Sequence, residues 1–218
     1  MARQFLTGTK PLVFLVFLKG NMKILVIDNG TSYLSQLEYL LSGQDIQVVR
    51  YSEINTVDVK KFDAVILSCG HNFSVVGNEK KIEKELDLVK NSGKPIFGIC
   101  FGFEIIAYAF GAKLEFMKNK EHGILDIQIV EPDDLFLNIP HFQVFESHRW
   151  VVKEPAHDLI ILARSRDGIE AIKHRTKQIY AVQFHPEMFV KKTHGDKIFY
   201  NFLSLIKKIA PKGRVKFC

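Results

Sequence analysis

Cys100 lies in the run Pro95-Ile96-Phe97-Gly98-Ile99-Cys100-Phe101-Gly102-Phe103-Glu104, an apolar stretch with a glycine two residues to either side of the cysteine. A chain that leaves a buried strand and turns sharply into a helix holds the side chain at the bend outward, and the strained turn leaves no room for a Cβ on either flank. Phe101 to Phe110 read as that helix. The thiol then stands at a helix N-terminus, where free backbone N–H groups and the dipole favour thiolate over thiol. A covalent nucleophile needs a base and a group to orient the base. The strand-like run Ile179-Tyr180-Ala181-Val182-Gln183-Phe184 delivers His185-Pro186-Glu187. Proline fixes the backbone as the strand ends, so imidazole and carboxylate can project to one side; the carboxylate holds one ring nitrogen and the other faces a thiol. Taken singly, each feature has a plainer explanation. A lone cysteine after a strand is more often core packing, and a lone His-Pro-Glu is more often a strand-end turn. Their combination points to nucleophilic catalysis.

The elements that must hold these groups alternate through the first half. Strand-like runs at Lys23 to Asp28, Ile46 to Arg50, Ala64 to Ser68 and Pro95 to Ile99 are interleaved with helix-like patterns at Ser32 to Leu41, Lys80 to Asn91 and Phe101 to Phe110. Such alternation predicts a mostly parallel sheet covered on both faces. After Gly111 the pattern becomes β-rich, at Ile124 to Val130, Phe142 to Glu146, Leu159 to Arg164, Ile169 to Lys173 and Ile179 to Phe184. A last helix is expected over Asp196 to Ile209, with Ile198, Phe199, Phe202, Leu205, Ile206 and Ile209 on its apolar face. The expected fold is a single-domain α/β protein: an open, mostly parallel, flavodoxin-like sheet flanked by helices, with a β-rich C-terminal half. Asp28-Asn29-Gly30, Ser68-Cys69-Gly70 and Cys100 all fall at C-terminal ends of parallel strands, where open α/β sheets collect ligands. The loop Gly70 to Gly77, with His71, Asn72 and Phe73, is expected to shape the mouth of that site, and His71 and His148 are the histidines expected nearest to it besides His185.

At 218 residues and 47% hydrophobic composition the chain can bury one sizeable core. Its cysteines, Cys69, Cys100 and Cys218, form neither a disulfide framework nor a paired metal-ligand spacing, which suits a reducing cytoplasm. No metal or cofactor is expected. The net charge of +6 belongs to the ends: Arg3, Lys10 and Lys19 precede the body, and Lys207, Lys208, Lys212, Arg214 and Lys216 follow it, with no acid in either segment. A nucleic-acid footprint on the fold is therefore not expected. Pro11 to Leu18 is too short to span a bilayer and lacks a small-residue cleavage site. Met22 precedes the first strand pattern. The division expected is an extension over residues 1–21, one domain over 22–209 and a basic tail over 210–218, with Cys218 outside any prenylation motif.

Gly98-Ile99-Cys100-Phe101-Gly102, Val182-Gln183-Phe184-His185-Pro186-Glu187 and Ile66-Leu67-Ser68-Cys69-Gly70 stand in the order found in class I, triad-type glutamine amidotransferases, and the chain resembles that family from about Lys23 to Ile206. The resemblance implies that Cys100 attacks the side-chain amide of glutamine, that His185 and Glu187 complete the triad, and that the backbone N–H groups of Gly70 and Phe101 form the oxyanion hole. It further implies that Glu104, Ser147, His148 and Arg149 contact the substrate. Leu135-Phe136, Ile139-Pro140, Val144-Phe145-Glu146-Ser147-His148, Ile169-Glu170-Ala171-Ile172-Lys173-His174 and His194-Gly195-Asp196 are similar to the glutaminase subunits of archaeal-type GMP synthases. No Ser-Gly-Gly-Val-Asp-Ser loop of an ATP-pyrophosphatase occurs in the chain, so amination of XMP is expected on a separate synthetase polypeptide.

Several positions depart from the family pattern. Ser68-Cys69-Gly70-His71 stands where Ser-Gly-Gly-Pro is usual, Glu104 where glutamine is usual, and Arg149-Trp150 follows Ser147-His148. Gly30-Thr31-Ser32-Tyr33 replaces the usual Gly-Gly-Gln-Tyr. Trp150, the one tryptophan, reads either as an interface anchor flanked by arginine or as a core strand residue beside Val151-Val152. The alternatives to a glutaminase for GMP synthesis are a stand-alone γ-glutamyl hydrolase, an amidotransferase for another acceptor such as chorismate, and a catalytically silent relative.

Overall fold

The computed structural model describes residues 21–209 apart from His71. The expectations for the N-terminal extension, the basic tail, Cys218 and His71 lie outside the described residues. Nine strands form one sheet in the order β2-β1-β3-β4-β9-β8-β7-β5-β6. Strands β1 (Lys23–Asp28), β2 (Asp45–Arg50), β3 (Ala64–Leu67), β4 (Ile96–Ile99) and β9 (Ile179–Val182) pair in parallel. The remainder, β8 (Ile169–His174), β7 (Leu159–Arg164), β5 (Leu114–Ile129) and β6 (Phe142–Val152), add on antiparallel. This is the predicted α/β sheet with its β-rich second half. No helix among the described residues is long and apolar enough to cross a membrane.

Side chains alternate across a strand, so a strand covered on both faces is apolar throughout. Ile24 and Val26 of β1 pack into one core with α1 (Leu34–Leu40) and α4 (Gly195–Ile209), while Leu25 and Ile27 enter another with α2 (Glu83–Asn91) and α3 (Phe101–Ala109). The α4 stripe buries Ile198, Phe199, Phe202 and Ile206 as predicted, with Leu203 buried instead of Leu205. Phe97 of β4 meets Phe199 and Phe202 at ring-centroid distances of 5.3 and 4.8 Å, locking α4 over the sheet centre.

The predicted second half is too short at two places. β5 begins at Leu114, not Ile124, and β6 runs to Val152, not Glu146. The missed parts pair with each other, Leu114↔Val152 to Phe116↔Trp150, then through a register shift to Glu121↔His148. Most of that stretch of β5 is exposed on both sides, so its residues carry no period-2 pattern, and cross-strand pairing specifies it.

Candidate active site

Three neighbouring elements build the site. Cys100 joins β4 to α3 with φ 51° and ψ −98°, a conformation that a residue with a Cβ adopts only when its surroundings enforce it. The enforcement comes from close packing of the first turn of α3 against β3 and β4. A Cβ at Gly98 would lie 2.6 Å from the Gly102 carbonyl oxygen, and one at Gly102 would fall on the Leu67 carbonyl. The Cys100 N–H donates to the Val182 carbonyl oxygen of β9 at 2.8 Å, which sets the elbow beside the strand that leads to His185.

The His185 N–H donates to the Phe145 carbonyl oxygen at 2.9 Å, so the end of β9 is bridged to β6. His185 Nδ1 lies 2.9 Å from Glu187 Oε1, with both side chains at most 2% exposed. The Tyr33 ring meets the imidazole edge-to-face at 5.0 Å and helps fix its plane. With Nδ1 engaged, Nε2 has no hydrogen-bond partner. The Cys100 sulfur, the Cys69 sulfur and a ring nitrogen of His185 lie within 4.8 Å of one another. The residues expected as nucleophile, base and orienter are thus together, and a second thiol stands among them.

That thiol changes the electrostatics expected from a helix N-terminus. The hydrogen bond with Cys69, and then burial, push the Cys100 thiol up rather than down. Cys69 is pulled down by the hydrogen bond from Cys100, against burial, with help from His185 and the Phe101 N–H. Burial alone would depress His185, but the Glu187 carboxylate and the Cys69 sulfur outweigh it and hold the imidazole well above its usual value. Two thiols that interact this strongly ionise as a pair. The first proton leaves readily beside the imidazolium and the second is held. A Cys69→Ala variant removes the neighbouring sulfur charge from Cys100, so its alkylation by iodoacetamide, mapped by mass spectrometry, is expected to move to lower pH. An unchanged or higher midpoint would contradict the coupling.

In front of Cys100 is a cavity of about 390 Å³ bordered by Gly70, Phe101, Glu104, Ser147 and Trp150. Glu104, in the first turn of α3, is 4% exposed. Burial, and then the Cys69 charge, push its carboxyl up to about 8. Near neutral pH it is therefore a neutral acid, close in shape and hydrogen bonding to the glutamine expected there. It ionises above about pH 8. The KM for glutamine is expected to rise across that range in the native chain and to stay flat in Glu104→Gln; parallel profiles would place Glu104 outside substrate contact.

The other expected contacts are partly redirected. Ser147 Oγ is 3.4 Å from His122 Nδ1, and the exposed Arg149 donates from Nη1 to the Lys118 carbonyl oxygen at 3.4 Å. His148 borders the cavity, but its ring nitrogens face elsewhere: Nδ1 bonds the Trp150 carbonyl oxygen at 2.9 Å, and Nε2 lies 3.3 and 3.4 Å from Glu146 and Glu121. Gln183 escaped the sequence reading, although its Nε2 points at the Cys100 sulfur from 3.8 Å. Its place two residues before His185, facing inward from the end of β9, was the available signal.

This site and fold define the class. The chain belongs to the class I glutamine amidotransferases, whose family model, Glutamine amidotransferase class-I, matches residues 25–206. Within that family it is 34% identical over 187 residues to a glutamine-hydrolyzing GMP synthase subunit of Pyrococcus abyssi, covering 84% of this chain and 97% of the relative. It is also 34% identical to the corresponding subunit of Saccharolobus solfataricus, covering 86% of this chain and all of that one. A proposed GMP synthase subunit from Thermoplasma acidophilum, known from its crystal structure, superposes with a TM-score of 0.78 at 28% identity, over 87% of this chain and 96% of that one.

Proposed function

We propose that this chain is the glutaminase subunit of a two-chain GMP synthase, releasing ammonia from glutamine at Cys100 for the amination of XMP on a separate synthetase. The observation that carries the reading is the thiol at a strained strand-to-helix turn beside an imidazole whose far nitrogen is held by a buried carboxylate. Support for the acceptor comes from the relatives, which are named as subunits of GMP synthase and match over nearly their whole length. In the reaction the Cys100 sulfur adds as thiolate to the glutamine side-chain carbonyl, the proton shed by the thiol pair being held on the His185 imidazolium. Gly70 and Phe101 N–H groups receive the oxyanion, a contribution of roughly 10²- to 10³-fold per donor. Collapse of the adduct expels ammonia, protonated by His185, and leaves a γ-glutamyl thioester. Water activated by the same imidazole then releases glutamate and the free thiol. Glu187 keeps the ring oriented and stabilises its cationic form throughout.

A synthetase must cover the mouth of the cavity for ammonia to pass without loss to water. Phe116 is 59% exposed there and meets the half-buried Trp150 edge-to-face at 5.3 Å, an aromatic pair of the kind that anchors interfaces. Trp150 is therefore neither wholly core nor wholly exposed. Adding the cognate synthetase with ATP and XMP is expected to raise glutamine hydrolysis at least about tenfold. Trp150→Ala is expected to raise the synthetase concentration needed for half the stimulation. Full activity of the isolated chain, with γ-glutamyl peptides cleaved as well as glutamine and no response to synthetase, would instead identify a stand-alone hydrolase.

A further inference from the structure

Beside the cavity, three strands bring four ionisable side chains together: Glu121 from β5, Glu146 and His148 from β6, and Glu170 from β8. One ligand atom each from Glu121, His148 and Glu170 lies within 4.8 Å of the others. His148 Nε2 is 3.3 Å from Glu146 Oε2 and 3.4 Å from Glu121 Oε2. Glu146, Glu170 and His148 are 0, 1 and 4% exposed, and the Glu121 side chain 10%. Glu121 Oε2, both Glu146 oxygens, Glu170 Oε2 and His148 Nε2 all lack a hydrogen-bond partner. A buried acceptor left unpaired is costly, and here five converge.

The remaining atoms of the group are held from behind. His148 Nδ1 lies 2.9 Å from the Trp150 carbonyl oxygen. A carbonyl can only accept, so Nδ1 carries a proton, and Nε2 is the ring atom turned toward the carboxylates. Ser165 Oγ donates to Glu170 Oε1 at 2.6 Å and itself accepts from the Asp167 and Gly168 N–H groups at 3.1 and 3.2 Å, which leaves Oε2 to point inward. An imidazole anchored through its far N–H, and a carboxylate anchored through one oxygen, form the outer shell typical of metal ligands. Among the described residues Glu121 and Glu146 pair with His148, and none of the three carboxylates pairs with a lysine or arginine. A cation bound among them would satisfy these atoms in place of the protons that burial holds on Glu146 and Glu170.

We propose that Glu121, Glu146, His148 and Glu170 form a binding site for one divalent first-row transition cation of the Mn²⁺ or Zn²⁺ kind. One imidazole with three carboxylates and no thiolate is the donor set for these borderline and harder ions. Glu121 also borders an open cavity of about 480 Å³, which gives the ion a way in. Bound there, it ties the β5–β6 hairpin to β8 and steadies the segment that carries Ser147 and His148 to the cavity wall. The sequence gives no hint of such a site, and the reason is topological. The ligands come from positions 121, 146, 148 and 170, and their spacing resembles no metal motif.

The full chain, stripped with chelator and titrated with Mn²⁺, is expected to take up one equivalent and to melt several degrees higher. The bound Mn²⁺ should show electron spin echo modulation from a single imidazole nitrogen. Co²⁺ should bind without a sulfur-to-metal charge-transfer band, which separates this site from Cys69, Cys100 and His185. Glu146→Gln and Glu170→Gln should each weaken Mn²⁺ binding at least about tenfold. If either variant does not fold, the imidazole signal of the native chain decides. The proposal is overturned if the native chain binds no stoichiometric Mn²⁺ or Co²⁺, if the bound ion shows sulfur ligation or no imidazole, or if both folded variants bind as tightly as the native chain.

Discussion

Cys100→Ala is expected to lower ammonia release from glutamine by at least about 10³-fold, with His185→Ala losing as much and the double variant no more than either. The reason is the arrangement around the sulfur. The imidazole is buried, its Nδ1 is committed to Glu187, and its other nitrogen is free to serve the thiols. A nucleophile without its base and a base without its nucleophile leave the same residue of catalysis, so the losses do not add. Glu187→Gln keeps an oxygen near Nδ1 but gives up the charge that stabilises the imidazolium, and its loss is expected to be smaller. The neighbouring thiol gives the experiment a second use, because Cys69 also lies close to His185. A diazo-ketone analogue of glutamine should label Cys100 in the native chain and nothing in Cys100→Ala. Labelling of Cys69 with Cys100 untouched in the native chain would transfer the nucleophile's role to Cys69 and sink the assignment.

What could be read from the chain follows a physical divide. β1, β3 and β4 are buried on both faces, so their composition alone reveals them, and the elbow is legible because only glycine fits where α3 presses on β3 and β4. His185 and Glu187 are two residues apart, so local geometry makes them a pair before any tertiary contact is known. The contacts that escaped are the non-local ones. Cys69 reads as a change in a loop motif, and its place between nucleophile and base depends on β3 and β4 lying side by side. The first part of β5 in the long β5–β6 hairpin is largely exposed on both faces, so nothing in its pattern separates strand from loop. Because that part was missed, Glu121 had no place beside β6, and the acidic group around His148 could not be foreseen. Glu104 shows the reverse case. Its identity suggested a charge in the pocket, and only its burial makes the group a neutral acid near neutral pH.

Gly102→Ala is expected to damage the fold more than any other single methyl group added near the site. Its Cβ would fall on the Leu67 carbonyl oxygen and 2.8 Å from the Leu67 Cβ, and neither is the end of a flexible chain that can swing aside. Leu67 is the last residue of β3, hydrogen-bonded within the sheet centre between β1 and β4. The clash can therefore be relieved only by lifting the first turn of α3. That turn buries Phe101 and Phe103, and Phe101 packs edge-to-face on Phe73 at 5.5 Å. Overpacking of a tight interior costs about 1–3 kcal/mol where side chains can adjust, and here backbone meets backbone. A loss of at least ~3 kcal/mol, or roughly 6–12 °C in Tm for a domain of this size, is the expected result in thermal unfolding. The same displacement moves the Cys100 backbone out of the conformation that aims its thiol at His185. Glutamine hydrolysis measured well below the lowered Tm should therefore fall by at least about tenfold, since a misplacement of about 1 Å can cost 10²-fold. A variant that melts within about 2 °C of the native chain and keeps its rate would show that the elbow has slack, and that close packing of α3 on β3 does not hold Cys100 in place.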